Sequence, residues 1–153
     1  MTGEIGTGKT TLCRALLNRL DPRVKTAFIL NPSFSDVQLL QLILRDLGID
    51  QSLTDNKLQL TERLNSFLLE QSSQGNNVAI IIDEAQNLNV QQLEEIRLLS
   101  NLETEKHKLL QILLVGQPEL FDKLRLPELR QLNQRVTVRY HITPLKGDEV
   151  KNY

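Results

Sequence analysis

Near the start of this chain stands the sequence Gly3-Glu4-Ile5-Gly6-Thr7-Gly8-Lys9-Thr10-Thr11. Its first eight residues have the spacing G-x-x-x-x-G-K-[ST], and a helical pattern over residues 9–20 begins at once. The glycines let the backbone turn so tightly that successive N–H groups can point at one anion. The N-terminus of the helix adds a partial positive charge. The pattern therefore predicts a phosphate-binding loop in an α/β protein.

Three side chains of this loop have expected roles toward a bound nucleotide. Lys9 is expected to reach the β- and γ-phosphates, Thr10 to place its hydroxyl on Mg²⁺, and Thr11 to contact the α-phosphate. A strand should lead into such a loop, but only Met1 and Thr2 come before it. We therefore expect the first, central strand of the sheet to be missing.

A pair of acids follows an apolar run further along the chain. Residues 78–82 read Val-Ala-Ile-Ile-Ile, and Asp83 and Glu84 come directly after them. An unbroken apolar run suits a strand that is buried on both faces, and the carboxyl ends of parallel strands form the ligand-binding edge of an open sheet. We expect Asp83 to face Mg²⁺ through water, and Glu84 to orient and activate an attacking water. Behind a phosphate loop, this Walker B pattern predicts a nucleoside triphosphatase.

Gln117 lies two positions after a second apolar run, over residues 109–115, which is expected to form another buried strand. At the end of a neighbouring strand it would lie between the phosphate loop and the two acids. There it could hold the attacking water or an oxygen of the γ-phosphate. The alternative is a turn glutamine that points into solvent.

Basic residues are frequent between residues 123 and 139: Lys123, Arg125, Arg130, Arg135 and Arg139. One interpretation is an arginine finger presented to the nucleotide of the next subunit. A modest nucleic-acid patch is the second. The third is a solvated helix face, which Asp122 and Glu128 favour. Arg135, just before the last strand pattern, is the first candidate for the finger, and Arg130 is the second.

Helix and strand patterns alternate along the chain. The helices are expected at residues 9–20, 36–47, 55–71 and 90–102, and the strands at residues 24–30, 78–82, 109–115 and 136–142. On the first helix, Leu12, Ala15, Leu16 and Leu20 are expected to face inward. Ser35 is expected to cap the second helix. The expected inward positions of the second and third helices are Val37, Leu40, Ile43, Leu44, Leu47, Leu60, Leu64, Phe67 and Leu68. The alternation predicts a single domain with an open parallel sheet and helices on both faces.

Composition excludes several classes of function. The net charge is −1 and the isoelectric point is about 6.1, so no strong basic field attracts the whole chain to nucleic acid or membranes. Cys13 is the single cysteine, which rules out an internal disulfide framework and a cysteine-based zinc site. His107 and His141 lie far apart and form no ligand pair. The apolar runs are about five residues long, against roughly 20 for a membrane span.

Taken together, these motifs resemble the AAA+ ATPase core, and their sequences are similar to those of the ExeA/GspA-type ATPases of the general secretion pathway. The matching segments are residues 3–11, 80–88, 93–103, 110–120 and 129–135. The resemblance implies an αβα sandwich with strand order 5-1-4-3-2, and ATP and Mg²⁺ as cofactors. It makes Gln117 the sensor-1 position. It also makes Arg135 the arginine finger of a homo-oligomer.

The resemblance also implies a cellular role. Members of the family couple ATP hydrolysis to the assembly of envelope machinery, such as the type II secretin or related pili. The implied location is the cytoplasm, at the inner-membrane face.

A helical lid with a second sensor should begin after Pro144-Leu145, so residues 1–153 would form a core subdomain that is incomplete at both ends. We expect the incomplete ends to weaken nucleotide binding and hydrolysis by this fragment alone.

Other functions stay open at this point. Transposition helper ATPases of the TniB type share much of the same core and would bind DNA in an ATP-dependent way, although the near-neutral charge disfavours nucleic acid. A nucleotide-switched interaction module would turn over little ATP. A small-molecule kinase is a weaker alternative, because the sequence contains no acceptor-site motif.

Overall fold

The computed structural model describes residues 1–30, 32, 35–52, 54–103 and 108–143. The proposed lid after Pro144 and the whole-chain boundary 1–153 extend outside these residues, and so does His107. The strands are β1 (Thr2–Gly3), β2 (Val24–Ile29), β3 (Asn77–Ile82), β4 (Gln111–Leu114) and β5 (His141–Ile142). The helices are α1 (Lys9–Leu17), α2 (Asp36–Asp46), α3 (Lys57–Ser73), α4 (Val90–Leu99), α5 (Glu119–Leu124) and α6 (Arg130–Arg135).

The strands run parallel in the order β5-β1-β4-β3-β2. Strand β3 pairs along its whole length with β2, and its last four residues pair with β4. Strand β1 pairs with β5. Its other side pairs with Gly116, two positions after β4, where Gly3 N donates to Gly116 O at 3.1 Å and Gly116 N donates to Met1 O at 3.1 Å. The predicted open parallel sheet is confirmed, and the order agrees with the one that the resemblance implies.

The first strand is present, contrary to the expectation that it would be missing. It is two residues long, and it forms because both neighbours offer backbone partners to the same short segment. Thr2 N donates to Tyr140 O at 2.8 Å on one side, and Gly116 bonds on the other. A short segment that is bonded on both sides in this way can hold its place in a sheet.

Beyond β1, the sheet opens into a cleft between β4 and residues 136–140. The cleft has a volume of about 470 Å³. The strand expected over residues 136–142 is reduced to His141–Ile142, and Val138 is 78% exposed. Strand β4, expected to be buried on both faces, is only half-buried, and Gln111 is exposed. Both predictions were wrong because these two segments line the cleft and do not pair with each other.

The main apolar core lies on one face of the sheet, under α2, α3 and α4. The expected inward positions of α2 and α3 are confirmed, with Leu40, Ile43, Leu60 and Leu64 fully buried. Ser35 caps α2 as predicted and forms a capping box with the residue three positions later. The other buried members of this core are Ala27, Ile29, Leu39, Leu44, Leu68, Val78, Ile80, Ile82, Ala85, Leu88, Leu93, Ile96, Leu99, Leu109, Leu110, Leu120, Leu124, Leu129 and Leu132.

Helix α1 covers the opposite face with a different side from the predicted one. Lys9 and Cys13 are its buried residues, and Leu17 packs on the same small cluster. These positions are four apart and therefore share one helix face. Leu12 and Leu16, predicted to face inward, are 47% and 41% exposed. The helix is rotated this way because Lys9 must turn into the loop that precedes it.

Among the residues that the structure describes, no helix combines the length and the apolar character that a membrane span requires.

Candidate functional site

The phosphate loop between β1 and α1 is shaped by its glycines. Gly6 and Gly8 have positive φ angles of 77° and 80°, which L side chains rarely adopt. Gly3 is needed for space instead, because a Cβ there would lie 2.9 Å from Ile142 O on the neighbouring strand β5. The loop then enters α1 at Lys9, so the first N–H groups of that helix are available to an anion.

Lys9 is buried and bound to the loop itself. Its Nζ donates to Gly3 O at 2.8 Å and to Glu4 O at 2.9 Å. Within the described part of the chain it forms no ion pair. A buried cation that is held only by neutral carbonyls favours an anion beside it. The loop therefore fits a phosphate group.

Thr10 and Asp83, which are both expected to hold Mg²⁺, meet at the carboxyl edge of the sheet. Asp83 is buried, and its backbone N donates to Ile29 O at 2.8 Å, which fixes it at the end of β3. The Thr10 hydroxyl donates to Asp83 Oδ2. Hydroxyl and carboxylate oxygens suit Mg²⁺. The described residues contain no cluster of three or more His, Cys, Asp or Glu side chains that could hold a metal ion. Phosphate oxygens and water would therefore complete the shell, as Mg²⁺ prefers.

Glu84 follows Asp83 in an unusual backbone conformation. Its φ is 54°, in the left-handed region, which costs a non-glycine residue about 1–3 kcal/mol. Its carboxylate Oε2 accepts hydrogen bonds from Gln86 Nε2 at 2.5 Å and from Gln117 Nε2 at 3.5 Å. The structure thus brings Glu84 and Gln117 together at the strand ends, beside Asp83.

Gln86 is a site residue that sequence reasoning missed. It lies in the 3₁₀ turn Ala85–Asn87, and its Oε1 accepts a hydrogen bond from Gln117 N at 3.0 Å. The acid pair has a recognisable spacing, whereas a glutamine two residues later has none. Gly116 is an indirect signal of this contact, because only a glycine leaves room for Gln86 Oε1, which would lie 2.6 Å from a Cβ at position 116.

The remaining loop residues differ in exposure. Glu4, Ile5 and Thr11 are exposed. Thr7 Oγ1 donates to Glu4 O at 2.8 Å and thus closes the turn from within. The Ile5 side chain, at 79% exposure, is one of the most exposed apolar groups of the chain.

The two finger candidates lie on α6, away from the phosphate loop. Arg130 and Arg135 are both exposed. Arg135 borders the cleft beside β4, and the residues that line this cleft do not include the segment from Gly3 to Thr11. The structure of one chain therefore does not bring either arginine to the phosphate loop.

The other basic residues of this stretch have partners inside the chain. Lys123 Nζ donates to Gln86 O at 2.5 Å and to Leu88 O at 2.8 Å. Arg125 lies 3.7 Å from Asp122. Arg139 donates to Asn133 O at 3.1 Å and to its side chain. These contacts favour a structural role over the nucleic-acid patch.

Cys13 lies in the small core beneath the site. Burial raises the pKa of its thiol to about 11, and the nearby Asp83 carboxylate adds to the shift. The protonated thiol is therefore the stable form there.

Comparisons with known proteins agree with this architecture. The family described as AAA domain matches residues 1–124. The chain is 44% identical, over all 153 residues, to "General secretion pathway protein A" of Aeromonas hydrophila, and it spans 28% of that protein's length. An Aeropyrum pernix ORC2 structure in ADPNP-ADP complexes has a TM-score of 0.77 at 19% identity, covering 99% of this chain and 43% of that one.

A second solved structure agrees as well. Cdc6p from Pyrobaculum aerophilum has a TM-score of 0.68 at 21% identity and covers 99% of this chain and 40% of its own. At such identities the likeness concerns the fold alone, while the family match rests on the sequence. Because the family model matches residues 1–124, the chain belongs to the AAA domain family.

Proposed function

We propose that this chain is the nucleotide-binding and hydrolysing core of an oligomeric, Mg²⁺-dependent ATPase. The observation that supports it best is the hydrogen bond between Thr10 and Asp83 at the edge of the phosphate loop. That bond joins the side chains of the two expected magnesium ligands, which are adjacent in sequence to Lys9 and Glu84.

Each residue of the proposed site has a separate role in hydrolysis. The loop N–H groups and Lys9 bind the phosphates, and Thr10 and Asp83 would hold Mg²⁺. When bound, that ion neutralises charge that develops on the phosphate oxygens. Glu84 orients the attacking water and accepts its proton. Gln117 lies beside Glu84, where its amide can bind the water or a phosphate oxygen.

The cellular role that we propose is the assembly of envelope machinery, such as a type II secretin or a pilus. Support comes from the 44% identity to general secretion pathway protein A across the whole chain. The partners would be components of that machinery, and the location would be the cytoplasmic face of the inner membrane. The match across all 153 residues of this chain favours this role over the transposition helper.

Arg135 is our candidate for the arginine finger of a neighbouring subunit. It is exposed at the C-terminal end of α6 and lies outside its own phosphate loop. An arginine that serves catalysis from outside its own site must reach the site of a second copy. Activity would then require oligomers and would depend on protein concentration.

ATP turnover against protein concentration tests these assignments. The full-length protein would be compared with Glu84→Gln, Arg135→Ala and the control Arg125→Ala, an exposed arginine of the same stretch. We expect the specific activity to rise with concentration, to be lost in the first two variants and to persist in the control. A flat profile with normal Arg135→Ala would refute the finger. Tight ATP binding without turnover would refute the ATPase and favour a switch.

A further inference from the structure

We propose that Gln86 is the positioning residue that orients the Glu84 carboxylate. This inference rests on the proposed ATPase function and adds a residue to its site. Glu84 needs such support because its left-handed backbone, with φ of 54°, does not by itself determine where the carboxylate points.

Both ends of the Gln86 amide are engaged, so its orientation is determined by its partners. The Gln117 backbone N–H can only donate, and it lies 3.0 Å from Gln86 Oε1. The NH₂ group must therefore face the other way, toward Glu84 Oε2 at 2.5 Å. A flipped amide would set a donor against a donor and an acceptor against an acceptor. A single orientation of the Gln86 amide therefore satisfies the Gln117 N–H, the Glu84 carboxylate and the amide itself.

The backbone of Gln86 is also held in place. Its carbonyl accepts a hydrogen bond from Lys123 Nζ, which binds Leu88 O as well and so ties the 3₁₀ turn Ala85–Asn87 to α5. Ala85 N donates to Val115 O at 2.8 Å, which ties the same turn to the end of β4. Gly116 leaves the space that Gln86 Oε1 occupies. The amide therefore projects from a rigid turn.

The distances favour Gln86 over Gln117 as the group that orients Glu84. Gln117 Nε2 is 3.5 Å from Glu84 Oε2, at the limit of a hydrogen bond, whereas Gln86 Nε2 is at 2.5 Å. Gln117 acts on Glu84 mainly through its backbone N–H, which fixes Gln86. This division leaves the Gln117 side chain available for the attacking water or the γ-phosphate.

Loss of this support should reduce turnover without weakening nucleotide binding. A displacement of a reacting group by 1 Å can cost about 100-fold in rate. Glu84 is not part of the phosphate loop, so nucleotide affinity should not depend on its direction. We expect Gln86→Leu to lower kcat by about 10- to 100-fold and to leave the Kd for ATP within about twofold of wild type.

The kinetic test uses the full-length protein with four variants. Gln86→Leu removes the amide, and Gln86→Glu keeps its shape but places a carboxylate in the position of the donor. Gln74→Leu makes the same change as Gln86→Leu at an exposed position after α3 and should leave kcat and Kd unchanged. Glu84→Gln defines the rate without the base. Equal losses of kcat in both Gln86 variants, at unchanged Kd, support the proposal, and wild-type kcat in either variant overturns it.

A second measurement requires no nucleotide. The side-chain amide of Gln86 gives an NMR signal in the free protein, and the signal that is absent from the Gln86→Leu spectrum identifies it. We expect Glu84→Ala to shift this signal because it removes the acceptor. An unshifted signal overturns the proposal. If Gln86→Leu fails to fold, the kcat of Gln86→Glu still tests the proposal.

The two ways of failing can be told apart. If wild type and Glu84→Gln hydrolyse ATP equally slowly, the proposed ATPase function fails, and the NMR result alone decides the contact. If wild type exceeds Glu84→Gln but Gln86→Leu and Gln86→Glu equal wild type, the function stands and the role of Gln86 is refuted.

Discussion

Thr10 and Asp83 are 73 positions apart in the sequence, and their side chains share a hydrogen bond in which the hydroxyl donates to the carboxylate. Thr10 is the second residue of α1, and Asp83 directly follows β3. Both lie at the carboxyl edge of a parallel sheet, which is where such folds bind ligands. The bond therefore joins the two motifs of the proposed site.

Removing the Thr10 hydroxyl should abolish the contribution of magnesium to nucleotide affinity. The gain in ATP affinity on adding Mg²⁺ should be smaller by about 10-fold or more in Thr10→Val than in wild type. Thr10→Ser keeps the hydroxyl and should retain the gain. Titration of a fluorescent ATP analogue with Mg²⁺ and with EDTA measures this difference. Thr10→Val that still binds more tightly with Mg²⁺ would contradict the assignment of Thr10 as a ligand.

Gly8 and Gly75 form a matched pair for testing the phosphate loop. Both have positive φ, 80° and 74°, and a Cβ would meet nothing within 4 Å at either position. Substitution by Ala should cost each about 1–2 kcal/mol of unfolding free energy through backbone strain. Nucleotide binding should be lost in Gly8→Ala and kept in Gly75→Ala, because the latter follows the end of α3. Urea unfolding and nucleotide titration are the measurements, and equal binding by both variants would argue against the loop.

Lys57 neutralises a buried acid between α3 and α4. Its ammonium contacts Glu95, whose side chain is 6% exposed, and lies 3.9 Å from Asp36. We expect Lys57→Met to lower the free energy of unfolding by about 1–2 kcal/mol, because Glu95 loses its partner while Lys57 itself is partly solvated. The exposed Arg23–Asp21 pair is the control, and Arg23→Met should leave the urea midpoint unchanged. Equal effects of the two substitutions would show that burial of Glu95 is unimportant.

Cys13 should make stability depend on pH in the alkaline range. The pKa of its thiol rises from 9.0 to about 11 because of burial and the Asp83 carboxylate. The folded chain therefore retains a proton that the unfolded chain releases. This contribution to stability is complete below pH 9.0 and is lost as the pH rises toward about 11. Urea unfolding of wild type and Cys13→Ala across this range isolates it, and identical pH slopes would refute the shift.

Local sequence patterns predicted much of this fold. The phosphate-loop spacing, the acids after an apolar run and the Ser35 cap each depend on neighbouring residues, so a short segment encodes them completely. Strands β2 and β3 lie within a residue of their expected bounds. The role of Gln117 could be proposed from its place after a strand pattern, but its contact with Glu84 could not.

The rest depended on partners from distant parts of the chain. Apolar periodicity assigned the wrong inward face to α1, because the site requires a polar residue, Lys9, to be buried there. The partial exposure of β4 follows from the cleft that it shares with residues 136–140, which lie later in the chain. Gln86 meets Gln117 because the pairing of β3 with β4 brings the segments after these strands together. No pattern within either segment specifies that contact. Sequence therefore predicted the motifs, whereas packing determined how they meet.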